Sequence, residues 1–280
     1  RSNGYGFSTL LIDNPSGIIL TDDLRTGRLN LSDGIVNAGA RVLWVESTLP
    51  GAIAGGSGSS FVVGTLRRNI AVNTATYPFP IGQGSGPTNY FKADFINNGL
   101  DLQGGTDYVE MSVAAHAESG TNTYGFLVTS HGTTRIISIN ETAIWTVTPS
   151  NTGPFAAGSY GVNLYIENIA GFLEDNKFTV LKRPTGSSTY ADWNTFWFTT
   201  TIPPSGTAGR IIDEGAGYAQ RLGFTSFSDH GTGNGSGPLP IKLIDFTADL
   251  DDGTVFVNWT VASQPNTDSF TFQWILDGSS

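Results

Sequence analysis

Between residues 7 and 48 the chain alternates short apolar runs with polar breaks. The runs at 9–12 (TLLI), 17–20 (GIIL), 28–31 (RLNL), 34–36 (GIV) and 41–45 (RVLWV) are separated by Asn-Pro, Asp-Asp-Leu, Ser-Asp-Gly and Asn-Ala-Gly. Runs this short, closed by turn residues, predict parallel β-solenoid coils or a sheet of very short strands. Two or three coils cannot bury a core alone, so residues 1–60 are expected to pack on the domain C-terminal to them or to continue an upstream coil. Beyond a Gly/Ser/Ala loop at 51–60, residues 61–66 and 75–81 read as strands. The second is an edge strand, because Pro78 and Pro80 cannot donate to a ladder. Strand signals recur at 90–95, 108–114, 125–129, 134–139, 143–147, 160–166, 177–182, 195–200 and 223–228. Spacings of ~8–20 residues without α/β alternation predict a central β-sandwich over 61–230, jelly-roll or immunoglobulin-like. Residues 231–237 carry four glycines and no apolar side chain, and Pro238 and Pro240 hold the backbone extended. Residues 231–240 are therefore expected to be a linker. Two alternating strands come next at 241–248 and 254–261, joined by an Asp-Leu-Asp-Asp-Gly turn. The expected fold class is all-β throughout, with residues 241–280 a partial module. Three strands are expected from Pro238 to Ser280, these two and one more C-terminal to them. That is about half of a seven-stranded sandwich, so completion in trans by strand addition is one reading.

Composition narrows the chemistry. The chain has 280 residues, no Cys, one Met and 36 Gly, so disulfides and zinc-thiolate sites are excluded. Lys and Arg number 14 against 24 Asp and Glu. The only adjacent basic pairs are Arg67-Arg68 and Lys182-Arg183. No basic face exists to displace phosphate counterions, which excludes nucleic acid as a partner. No apolar run approaches the ~18 residues of a transmembrane helix. An acidic, hydroxyl-rich chain starting at Arg1 reads as a processed or trimmed secreted product.

The stretch LPIKLIDFTA, then VNWTVAS, then FTFQWILDG resembles a recurrent module of Bacteroidetes surface proteins. That module is immunoglobulin/fibronectin-like and lies near the C-terminus of those proteins. Pro240, Leu243, Phe246, Ala248, Trp259, Ala262, Ser263, Asn266, Phe270, Asp277 and Gly278 fall in register with its pattern. Departures are Val261 for Thr, Gln264 for Glu, Thr267 for Asn, and Gln273-Trp274-Ile275 for Glu-Arg-Ser. In that family the module precedes a type IX secretion sorting domain. The resemblance therefore implies an extracellular or cell-surface address, with the type IX machinery as a partner. The short-run segment at 7–48 and the phrase FVVGTLRRNI…TYPFPIG resemble segments of the same group.

Candidate chemistry is sparse. His116, His131 and His230 sit in polar or Gly-rich surroundings and read as surface or turn histidines, with neither triad nor metal spacing. Asp107, Glu110, Glu141, Glu167, Glu174 and Asp175 read as solvated carboxylates rather than a glycosidase pair. No cofactor is expected. Ca²⁺ is the candidate ion, at Asp249, Asp251 and Asp252, where three carboxylates crowd one turn. Asp-Gly is equally the best hairpin turn. Tyr190, Trp193 and Trp197 are candidate sugar-stacking residues, with core packing as the alternative. Ser269 resembles an O-glycosylation acceptor of the same bacterial group. The function expected is a non-catalytic extracellular structural protein: an adhesin, or a homo-polymeric subunit of a surface filament or sheath, joined through strand edges. The alternative is a carbohydrate-binding accessory module of a secreted polysaccharide-degrading protein.

Overall fold

The computed structural model of the chain describes residues 6–103, 105–120, 126–128, 134–169, 178–193, 209–213, 216–236, 243–252 and 254–261. Packing divides it into two units, Arg1–Gly235 and Ser236–Ser280. The protein is all-β, and among the described residues its helical turns are short 3-10 segments.

The N-terminal strands are β1 (Phe7–Asp13), β2 (Ile18–Ile19), β3 (Leu24–Asp33), β4 (Val36–Val45), β5 (Ile53–Gly55), β6 (Val62–Asn69), β7 (Thr74–Phe79) and β8 (Ile81–Gly82). All but β7 stack in parallel as a solenoid with three ladders. In the first, Leu24 lies on Leu43, and Leu43 on Leu66. In the second, Leu10 lies on Leu29, Ile12 on Leu31, and Leu29 on Ile53. In the third, Ile18 lies on Val36, Val36 on Val62, and Val62 on Ile81. The runs expected at 9–12, 17–20, 28–31, 34–36 and 41–45 all lie in these ladders, whereas Leu24, expected in a break, and Ile53, expected in a loop, are strand residues too. The inward residues stack into one apolar core. The corners require glycine because successive coils touch there. At Gly34, φ is +93° and a Cβ would sit 1.7 Å from the carbonyl oxygen of Asn14.

The next strands are β9 (Ala93–Asp101), β10 (Tyr108–Ala114), β11 (Phe126–Val128), β12 (Thr134–Ile139), β13 (Ile144–Pro149), β14 (Ala157–Tyr165), β15 (Phe178–Arg183), β16 (Gly209–Asp213), β17 (Ala216–Phe224) and β18 (Asp229–Ser236). On its free edge β6 takes β10 in antiparallel register, with Arg67 opposite Glu110. One large sheet thus runs β1-β3-β4-β6-β10-β13-β18-β12-β11, and β15 also pairs with β18. A second sheet, β16-β17-β14-β9-β7, faces it. The Pro-containing strand β7 is an edge, as its prolines require. One apolar core holds Leu29 and Leu43 together with Phe95, Trp145, Tyr160 and Phe224. No packing boundary therefore falls at residue 60.

Strand β18 corrects the linker expectation. Residues 231–236 are strand, and Gly231, Thr232 and Gly233 are buried. Gly231 lacks a side chain because there is no room for one: its Cβ would meet Ile139 Cδ1 and Trp193 Cη2, both at 3.0 Å. Residues 237–240 lie outside the described residues, as do 195–200. Strand β16 has no counterpart among the sequence signals, and the expected strand at 223–228 overlaps only the end of β17, with a loop after it.

In the C-terminal unit, β19 (Leu243–Asp251) and β20 (Thr254–Val261) form an antiparallel hairpin in which Asp251 pairs with Thr254. Asp252 sits at φ +45°, the left-handed geometry that a two-residue Asp-Gly turn demands.

Candidate functional site

The densest polar chemistry gathers where β15 meets β18. Their register sets Lys182 opposite His230 and Arg183 opposite Asp229. Alternation along each strand sends the two pairs to opposite faces of the sheet, and both are buried.

On the outer face the strands are covered by residues 184–193, where Ser119 bridges to Thr189. Arg183 there donates to both carboxylate oxygens of Glu118, and its Nε donates to Asp229 Oδ2 at 3.2 Å. Asp229 also accepts from Thr146 Oγ1 at 2.9 Å and from the Gly186 amide at 3.3 Å. His116 Nδ1 lies 3.2 Å from Glu118 Oε1. The guanidinium stands 4.6 Å from the ring centre of Trp193. Trp193 closes a small apolar cluster with Ile139, Ile144, Leu181 and Tyr190, and the Tyr190 hydroxyl donates to Glu141. Buried charges in this arrangement are matched by hydrogen bonds as well as by sign, as they must be to persist away from water.

On the inner face Lys182 Nζ donates to the Ser226 carbonyl oxygen at 2.5 Å and contacts Ser226 Oγ at 2.6 Å. The Tyr160 hydroxyl donates to the same carbonyl at 3.0 Å and lies 3.2 Å from His230 Nε2. Burial lowers the Lys182 ammonium to about 8 and raises the Tyr160 phenol well above its ordinary value. Burial, and then the Lys182 charge, push the His230 imidazole down to about 3. His230 is thus neutral in the fold, a correction to its reading as a surface or turn histidine.

The sign of the pH effect follows from His230. Unfolded histidine takes a proton near pH 6.5 while the folded ring resists until about 3, so acid favours the unfolded chain across that window. His230 is expected to remove about 1.4 kcal/mol of stability per pH unit there. Urea unfolding at several pH values should show this slope in the wild type and lose it in His230→Gln. Equal slopes in the two proteins would assign the acid sensitivity elsewhere.

The predicted sugar platform is not a platform. Trp193 is 0% and Tyr190 8% exposed, both packed from the covering segment onto Ile139, Ile144 and Leu181, so neither ring offers a face to a glycan. Trp197, Ser269 and His131 lie outside the described residues, as do Glu174 and Asp175. Asp249 and Asp251 belong to β19 and Asp252 to the turn. Among the described residues no group of three His, Asp or Glu is placed to hold a metal ion. The predicted solvated carboxylates also have partners: Glu110 pairs with Arg67, and Glu141 accepts from the Glu118 amide at 2.8 Å.

Sequence reasoning missed the pair Arg67-Arg68 as a site, although strand alternation alone requires one of the two to face inward. Arg67 lies outward, 4.6 Å from the Trp44 ring and 4.2 Å from Tyr108, with Arg25 at 4.1 Å from Trp44. Arg68 is fully buried and donates to the carbonyls of Pro78 at 2.9 Å, Leu49 at 3.1 Å and Pro50 at 3.0 Å. Burial lowers its guanidinium to about 10. Beside the third ladder an open cleft of about 680 Å³ is lined by Pro15, Ile19, Asp33, Asn37, Val63 and Pro87, among others. Its lining holds no aromatic or basic side chain.

No protein-family model, curated protein or solved structure matches the chain. Among the described residues no helix is long and apolar enough to cross a membrane. Fold and site together define an all-β protein whose polar clusters are tied into its packing.

Proposed function

We propose that the chain is a non-catalytic extracellular structural protein, a self-assembling subunit of a surface filament or sheath, or an adhesin. The observation that carries this reading is the edge of β1. Residues 7–13 pair with β3 on one side, and no strand among the described residues covers the other. This edge holds no Lys, Arg or Pro, the usual guards against strand addition. Phe7 and Leu11 are exposed on it. The hairpin β19–β20 adds support, since two strands are marginal alone and its Phe246 and Phe256 are each about half exposed. The surface address and the type IX route rest on the LPIKLIDFTA…VNWTVAS resemblance. The sugar-binding alternative loses two of its three aromatic residues to the core.

Light scattering and negative-stain electron microscopy of the purified chain test the proposal. The wild type is expected to form ordered higher species. Lysine at two outward positions of β1, Thr9→Lys with Leu11→Lys, should return it to monomer without loss of the folded signal. A wild type that stays monomeric at high concentration sinks self-assembly.

A further inference from the structure

On the inner face of the β15–β18 pair a hydroxyl and an amine are in direct contact, and strand-edge assembly does not use them. We propose that Ser226 is an acyl-accepting nucleophile with Lys182 as its general base, and that activated esters are the class of donor it takes. Lys182 Nζ lies 2.6 Å from Ser226 Oγ, within range of direct proton transfer. Ser226 is exposed, whereas Lys182 is buried, so an electrophile can reach the hydroxyl while the base stays dry. The residue is held in place by its own carbonyl, which accepts from both Lys182 Nζ and the Tyr160 hydroxyl.

Burial lowers the ammonium to about 8, so an appreciable fraction of the amine is neutral near physiological pH. Among the described side chains of the elements packed on it, the buried titratable groups are His230 on β18, Tyr160 on β14 and Arg221 on β17. Burial raises the Tyr160 phenol, and His230 is lowered to about 3, so both are neutral in this range. Arg183 and Asp229 lie on the opposite face of the sheet.

In the step itself, the neutral amine takes the Ser226 hydroxyl proton as Oγ bonds to the acyl carbon. The bond from that carbon to the leaving alcohol then breaks, and the ammonium returns its proton to the departing alkoxide. The products are a Ser226 ester, a free alcohol and a neutral Lys182.

The test is acetylation by p-nitrophenyl acetate, followed as nitrophenolate release and mapped by peptide mass spectrometry. The exposed serines Ser32 and Ser85 serve as internal standards. Ser226 is expected to react on the order of 100-fold faster than either. Its rate should rise about tenfold per pH unit and level off above about pH 8. Ser226→Ala should abolish the fast phase. Lys182→Arg keeps a donor for the loop but supplies no base, and should lower the Ser226 rate to that of the standards while thermal unfolding still shows a folded chain. If Lys182→Arg does not fold, the wild-type ratio of Ser226 to Ser32 decides alone. A ratio near one, or a folded Lys182→Arg that reacts as fast as wild type, overturns the proposal.

Discussion

Trp193→Ala should destabilise the larger unit by ~3–5 kcal/mol, the usual range for removing a fully buried large aromatic. The residue is 0% exposed and touches elements far apart in sequence: Ile139 at the end of β12, Ile144 on β13, Leu181 on β15. It also fits against the bare backbone of Gly231, where a Cβ would lie 3.0 Å from its Cη2. That contact supplies an internal control. Gly231→Ala alone should be destabilising, because the indole and Ile139 must both give way. In the Trp193→Ala background the same change should cost less, or even help by refilling the cavity. Urea unfolding of the four proteins in a double-mutant cycle measures the coupling. Strict additivity, or a cost below about 1 kcal/mol for Trp193→Ala, would show that the indole is not packed this way and would revive the sugar-stacking reading.

Arg183→Met is the second large effect, also ~3–5 kcal/mol, because it strands two buried carboxylates without their cation. The side chains of Glu118, Arg183 and Asp229 are 0%, 1% and 4% exposed, so water cannot substitute for the lost guanidinium. The magnitude reflects exposing a mismatch rather than the net worth of the ion pairs. Neutralising the partners as well should therefore recover much of the loss. The triple change Arg183→Met, Glu118→Gln, Asp229→Asn is expected to be more stable than Arg183→Met alone, as read by thermal and urea unfolding. A single variant within about 1 kcal/mol of wild type would place the cluster in solvent.

Legibility in the sequence tracked the range of each physical cause. The solenoid rungs were legible because each short run carries its own turn, and the residue it stacks on lies one coil away, as Leu10 on Leu29 does. Strands β10 and β12 were legible to the residue, since apolar alternation is a local property. Strand β18 was not. GTGNGS has the composition of a linker, and only Trp193 and Ile139 packed against it show that Gly231 is there for closeness rather than freedom. The candidate site failed for the same reason. Whether Tyr190 and Trp193 face water depends on what covers them. The paired charges of the site, Arg183 with Glu118 and Asp229, are 65 and 46 positions apart. Arg67-Arg68 lies just past the strand expected at 61–66, and its alternation comes into view only because β6 runs on to Asn69.

The position of β18 has a kinetic consequence. Coils of the solenoid close over short loops and can form while little of the chain exists. β18 instead enters the large sheet between β13 and β12, both made long before it, and sets His230 beside Trp145. Closing so long a loop is slow. Folding of the larger unit is thus expected to be ordered from its N-terminus, with the gap between β13 and β12 filled last.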